Sequence, residues 1–186
     1  CEPEIIHIQK NNFIENLTDL IKYHDSPVYS LSQYLQPCLV KPISSSGYKI
    51  AISGTGSDEL FSGYYDHYLF HFQYLKNSKN LNKHIDVWKK NVLPKIRNEV
   101  FKNDKLFINK PNYRDYVYDH NQTLSKYLIS PDKSKFQEKF FTQDDFSNRR
   151  LNELFYEQVQ PTLNNEDLNS MMYSVENRSP FLNKQI

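Results

Sequence analysis

Glycine is scarce in this sequence: 4 residues in 186, three of them (Gly54, Gly56, Gly63) within ten positions of one another. Cysteine is scarcer still. Cys1 and Cys38 form no CxxC pair, which excludes a disulfide framework and a Cys-rich zinc site and suits a reducing compartment. No stretch approaches the roughly 20 consecutive apolar residues of a membrane-spanning helix. Charge of one sign is also missing, with 23 Lys+Arg against 22 Asp+Glu and no charged block. That balance excludes a basic groove for nucleic acid and a basic face for anionic membranes. The opening residues carry no basic-then-apolar leader, so a cytoplasmic location is the expectation.

What is abundant is aromatic side chains, 15% of the residues and mostly Tyr and Phe, enough to build one sizeable core. Glu4–Ile8 reads as a short strand. Asn11 or Asn12 can cap a helix whose face is Phe13, Ile14, Leu17, Leu20 and Ile21, ending at His24-Asp-Ser-Pro27. A second helix starts near Ser30 or Ser32, with Pro37 and Pro42 complicating it, and Ser44–Gly47 closes it as a loop. Tyr48–Ile52 is then a strand, giving a strand–helix–strand crossover. Everything after Glu59 reads as helical. The apolar sets are Leu60, Phe61, Tyr64, Tyr68, Phe72 and Leu75; Leu81, Ile85, Trp88 and Val92, ending by Pro94; Tyr113, Tyr116, Val117, Leu124, Tyr127 and Leu128; and Leu151, Leu154, Phe155 and Val159, stopping near Pro161. The fold class is therefore α/β and mostly helical: a partial parallel sheet followed by a helical bundle. Two strands alone do not make a sheet covered on both faces, and both ends of the chain read as cut points. The sequence is expected to be a fragment, with further strands upstream.

The glycines cluster where chemistry is expected. In Ser53-Gly-Thr-Gly-Ser-Asp-Glu59 a strand leads through two glycines into a helix start. Converging N–H groups there can hold an anion, helped by the partial positive charge of a helix N-terminus. Thr55 or Ser57 can cap, and Asp58 and Glu59 fall in the first turn. A carboxylate beside a phosphate needs a cation between them, so Asp58 would meet a pyrophosphate through Mg²⁺. Residue types alone favour an ordinary strand-to-helix turn, because the pattern is neither a P-loop nor a dinucleotide fingerprint.

Two segments together are more specific. Ser53-Gly-Thr-Gly-Ser-Asp-Glu-Leu-Phe-Ser-Gly-Tyr64 resembles S-G-E-G-[SGA]-D-E-[LV]-F-G-G-Y, and Asp167-Leu-Asn-Ser-Met-Met-Tyr-Ser-Val-Glu-Asn-Arg-Ser-Pro-Phe-Leu-Asn183 resembles D-x-x-S-M-x-x-S-[VL]-E-x-R-x-P-F-L-D. Asp25-Ser-Pro27 is similar to the D-x-P loop that precedes them. The order and spacing resemble the synthetase domain of glutamine-hydrolysing asparagine synthetases, an adenine nucleotide alpha hydrolase-like fold. The resemblance implies that ATP activates a carboxylate, aspartate in the type case, as an acyl-adenylate with release of Mg-pyrophosphate. Ammonia from a separate glutaminase domain then attacks. It implies nucleotide contacts at Ser53, Gly54 and Gly56, pyrophosphate contacts at Ser57 and Asp58, Mg²⁺ by way of Asp58, and structural or substrate roles for Glu59, Glu176 and Arg178. A homodimer is the candidate assembly.

Departures from the pattern matter equally. Thr55 stands where the family commonly has a Glu held to bind and deprotonate the amine. A hydroxyl is no general base near neutral pH. Either water or a neighbouring carboxylate serves instead, or the amine chemistry differs. Ser62 replaces a Gly and Asn183 an Asp. The S-G-G-x-D-S pyrophosphate loop and the later adenylation lysine are not in this chain, so the chain alone is expected to be inactive. A catalytically inactive relative acting as a binding or scaffold module is the competing reading. Cys1 is read as an internal cysteine rather than a glutaminase nucleophile. His67 and His71 have zinc spacing without a third ligand and read as a mixed helix face. Arg178 is expected to brace Glu176 in a buried pair, and Lys89-Lys90 and Arg149-Arg150 to be solvated helix faces.

Overall fold

The computed structural model describes residues 3–8, 12–28, 30–118, 127, 129 and 137–185. It divides into two compact units, one of residues 1–56 with 156–186 and one of residues 57–155. Cys1, Asn11, Leu124 and Leu128 lie outside the described residues.

The first unit holds helices α1 (Phe13–His24) and α2 (Leu31–Ser45), strand β1 (Ile50–Ile52), the helix Val159–Met171 and strand β2 (Glu176–Arg178). Asn12 precedes α1 in a left-handed conformation, and its carbonyl, not its side chain, accepts from the Asn16 N–H. Only Leu20 and His24 of α1 are buried, so the inward face is narrower than the apolar pattern suggests. Ser30 caps α2, its Oγ accepting from the Gln33 N–H at 3.3 Å. The helix runs through both prolines. Pro37 has no N–H to offer the Gln33 carbonyl, and Asn169 Nδ2 donates to that oxygen from the Val159–Met171 helix at 3.4 Å. Gln33 Nε2 donates to Asn165 Oδ1 at 2.6 Å, and Asn169 Nδ2 also to Gln36 Oε1 at 2.7 Å. A polar seam thus fixes the two helices together.

Three strand and helix expectations are corrected in this unit. Residues Glu4–Ile8 form no strand; Ile5 is 73% exposed, and a strand exists only where a neighbour takes up its backbone groups. The expected strand–helix–strand crossover is therefore not formed. β1 pairs instead, in parallel, with Glu176–Arg178, a segment expected to be helical. Ile50 faces Glu176, Ala51 faces Asn177 and Ile52 faces Arg178. The positive φ of Ser174 (56°) ends the preceding helix, whose Ser170 carbonyl accepts from the Val175 N–H, and lets the chain turn into β2. The helical run that carries Leu151, Leu154 and Phe155 ends at Glu157, near Pro161 as expected, whereas Val159 and Pro161 sit in the first turn of the next helix, Val159–Met171. There the N–H that Pro161 lacks has no intrahelical partner to lose.

The second unit is built on aromatic packing. Helices α3 (Ser57–Phe61), α4 (Tyr65–Tyr74) and α5 (Leu81–Asn91) are followed by short turns and the helix Asp145–Asn152. Leu69, Phe70, Phe72, Ile85, Trp88, Ile96, Leu106 and Phe107 form its core. Phe70 stacks on Phe107 with centroids 4.0 Å apart, and Phe72 meets Trp88 edge-on at 5.6 Å. Pro94 lies in a 3₁₀ turn after α5, as its position suggested. The apolar set from Leu60 to Leu75 is not one helix: the chain breaks at Ser62, whose φ is +71°. That is the left-handed region favouring glycine, the residue of the resembling pattern. Ser62→Gly is expected to raise stability by about 1 kcal/mol, read as a higher urea midpoint with unchanged slope.

Arg149 corrects the sequence reading most sharply. Expected on a solvated face, it is 2% exposed and reaches Glu153 and Glu138, both at 3.1 Å. Asp66 lies 3.7 Å from its Nε. Arg114 forks onto Glu138 at 2.6 and 2.9 Å, and His67 Nε2 meets Glu153 at 2.7 Å. Burial works to raise Glu138, and its bonds to Arg114 and Arg149 outweigh this, leaving the carboxyl below its ordinary range. Glu153 is held above that range by burial. Asp66, His67 and Glu153 present ligand atoms within 4.8 Å of one another, but Arg149 already brings the positive charge that a metal would supply. His71 turns instead toward His84, with ring centroids 5.3 Å apart.

Candidate functional site

Strand alternation builds the site in the first unit. With Ile50 paired to Glu176 and Ile52 to Arg178, successive side chains point to opposite faces. Ile50, Ile52, Glu176 and Arg178 share the exposed face, and Ala51 and Asn177 share the half-buried one. The ladder extends one step further, because the Ser53 N–H donates to the Arg178 carbonyl at 2.9 Å. Ser53 and Ser179 therefore join Asn177 on the half-buried face, their hydroxyls 2.9 Å apart across 126 residues of sequence.

A carboxylate meets them. Glu166, on the helix Val159–Met171, accepts from Thr55 Oγ1 at 2.6 Å through one oxygen. Its other oxygen accepts from Asn177 Nδ2 at 2.8 Å and lies 3.4 Å from Ser53 Oγ. Thr55 also lies 3.2 Å from Ser53 Oγ. Gly56 follows with φ +92°, packed so closely that an added Cβ would run into the side chain of Leu182. Gly54 is exposed beside this cluster. Beyond Glu166 opens a cavity of about 480 Å³ lined by Leu35 and Leu39 together with hydroxyls and amides such as Ser30, Ser32, Gln33 and Asn165, and among the described residues that line it Glu166 is the one ionisable side chain.

Ser57, Asp58 and Glu59 open the second unit as the first turn of α3. Asp58 is exposed, its carboxylate lying against Gly63, where a Cβ would collide with it. The Asp58 carbonyl accepts from the N–H groups of Ser62 at 2.8 Å and Gly63 at 3.2 Å. Glu59 is buried and accepts from the Tyr64 hydroxyl at 2.6 Å. Burial first, and then Glu59, raises that phenol far above its ordinary value. Glu59 is therefore an anchor for Tyr64. Glu176 and Arg178 do pair, at 2.9 and 3.2 Å, but both are more than half exposed. A solvated pair of this kind holds little shape, so the expected buried brace is not formed.

Sequence reasoning missed Glu166, Asn177 and Ser179. Asn177 and Ser179 follow from period-two alternation once Glu176–Arg178 is a strand. Glu166 lies just ahead of the second motif, one helical turn past Thr162 and level with Asn165 and Asn169 on the side of the helix facing α2.

A family model described as asparagine synthase matches residues 2–186. No curated protein and no solved structure matches the chain.

Proposed function

The chain belongs to the asparagine synthase family, and on that premise we propose that it forms part of an ATP-dependent ligase that makes an amide from a carboxylic acid. The observation that carries this reading is the parallel pairing of β1 with β2. It joins the two motif segments, remote in sequence, on one face, where Ser53 and Thr55 share a hydrogen-bonded cluster with residues of the second segment.

ATP would activate the acid as an acyl-adenylate, with pyrophosphate leaving. Ser53, Gly54 and Gly56 hold the nucleotide in this reading, and Ser57 and Asp58 the pyrophosphate. One exposed carboxylate is a fitting donor for Mg²⁺, which is usually bound through one or two carboxylates plus phosphate oxygens. Bound through Asp58, the ion would offset the charge of the pyrophosphate. The two described strands would belong to a larger nucleotide-binding sheet, with the helices of the second unit as the following bundle. The remaining phosphate loop would come from outside this chain, and ammonia from a glutaminase domain. Aspartate is the type substrate; Thr55 leaves room for other acids, such as sugar acids.

The test is ATP–pyrophosphate exchange by the full-length protein against a panel of carboxylic acids, starting with aspartate. Exchange that requires one of these acids is the expected result. An intact, ATP-binding protein that gives no exchange with any of them would contradict the reading.

A further inference from the structure

We propose that Glu166 is the proton acceptor for the amine in amide formation, supplying the carboxylate that position 55 lacks. The inference rests on the ligase reading above and adds a residue to it. Thr55 offers only a hydroxyl, and that hydroxyl is turned to donate to Glu166 at 2.6 Å. The carboxylate thus stands one hydrogen bond behind the position where the resembling pattern places an acid. Asn177 Nδ2 at 2.8 Å holds its second oxygen, and Ser53 Oγ lies 3.4 Å from that oxygen. An ionised carboxylate has about four lone-pair sites, so these three donors still leave room for a proton from substrate.

The surroundings suit an amine. Glu166 borders the cavity of about 480 Å³ and is the one ionisable group among the described residues that line it, the rest being hydroxyls, amides and two leucines. A lone carboxylate among neutral side chains attracts an ammonium ion or a primary amine and repels a second anion. In the step itself, the amine lone pair forms the new C–N bond at the acyl carbon of the adenylate. The C–O bond to AMP breaks, and AMP leaves with that electron pair. The proton shed by the nitrogen passes to a Glu166 oxygen. The alternative role for Glu166 is mechanical: tying the Val159–Met171 helix to the turn at Thr55.

Exchange and amide formation separate these roles in the full-length protein, using the acid that supports exchange and ammonium chloride as the amine. Glu166→Gln keeps the shape and its hydrogen-bonding oxygen but removes the base. Exchange is expected to stay within about twofold of wild type, while amide formation falls about 100-fold, the low end of what a positioned base contributes. The acidic limb of the pH–rate profile for amide formation should disappear with it. Adding Thr55→Glu to Glu166→Gln should restore at least about tenfold of the loss, since it returns a carboxylate to the neighbouring position. Wild-type amide formation by Glu166→Gln would overturn the proposal. So would a parallel loss of exchange and amide formation that Thr55→Glu does not rescue, which is the signature of the mechanical role. No exchange by the wild type would remove the ligase reading itself, and this inference with it.

Discussion

Arg149→Met is expected to cost about 3–5 kcal/mol of stability, the range for removing one partner of a buried ion pair. The side chain is 3% exposed and bonds Glu153 and Glu138 at 3.1 Å each, with Asp66 at 3.7 Å. Methionine fills much of the same volume, so the loss is one of charge more than of packing. What remains is three carboxylates close together, with Arg114 the one guanidinium among the described residues still bonded to any of them, at Glu138. Glu153 suffers most, because burial already holds its carboxyl above the ordinary range and Arg149 is one of the groups opposing that. The measurement is the urea midpoint of Arg149→Met beside Lys89→Met, whose pair with Asp104 leaves the lysine half exposed. A large drop for the first and almost none for the second is the expected pattern. Equal, small shifts would mean that the buried cluster does not hold the second unit together.

Gly56→Ala should lose about 3 kcal/mol, from two causes that act together. The φ of +92° is one that an L residue rarely adopts, at about 1–3 kcal/mol for such a conformation. The new Cβ would also fall 2.9 Å from Leu182 Cγ and nearer still to a terminal methyl, at about 1–3 kcal/mol for overpacking. Leu182 belongs to the second motif segment, so relief of the clash would shift that segment against Thr55. A double-mutant cycle distinguishes the causes. Leu182→Ala combined with Gly56→Ala should recover the packing part and leave the backbone part. Strict additivity of the two single losses would show that the contact carries no coupling.

How far the sequence could be read depended on whether a feature was local. The Ser30 cap, the turn at Asp25 and the amphipathic helix Leu81–Asn91 all follow from neighbours a few positions apart. The partner of Ile50–Ile52 does not. Glu176-Asn-Arg178 is polar and without an apolar run, and it becomes a strand because β1 offers it a ladder, not through its own propensity. Pro161 marked the end of one helical run but not the start of the next, because proline suits both places by the same chemistry. Arg149-Arg150 misled because a doublet of arginines reads as solvated until carboxylates from Asp66, Glu138 and Glu153 converge on Arg149 and Arg150 turns to the Leu60 carbonyl. At the site, the Gly-rich turn was legible from glycine usage and from the motif. Glu166 was not, because its link to Thr55 spans 111 residues and lies in neither motif pattern.

Thr55 thus has a different standing once its partner is known. Its hydroxyl does not replace a carboxylate; it is hydrogen-bonded to one, from a helix fixed to α2 by Gln33–Asn165 and Asn169–Gln36. This makes the departure from the family pattern compatible with amide-forming chemistry. The polar seam between α2 and the Val159–Met171 helix then serves the site as well as the fold, because it sets where Glu166 stands.

The most direct measurement on the central claim is acid-dependent ATP–pyrophosphate exchange by the full-length protein and by its Asp58→Ala variant. A joined pair of motif segments that adenylates a carboxylate predicts exchange in the wild type and a loss of at least about tenfold in the variant, with the fold intact by circular dichroism. Exchange that is undiminished by Asp58→Ala, or absent from a folded, ATP-binding wild type with every acid tried, would contradict it.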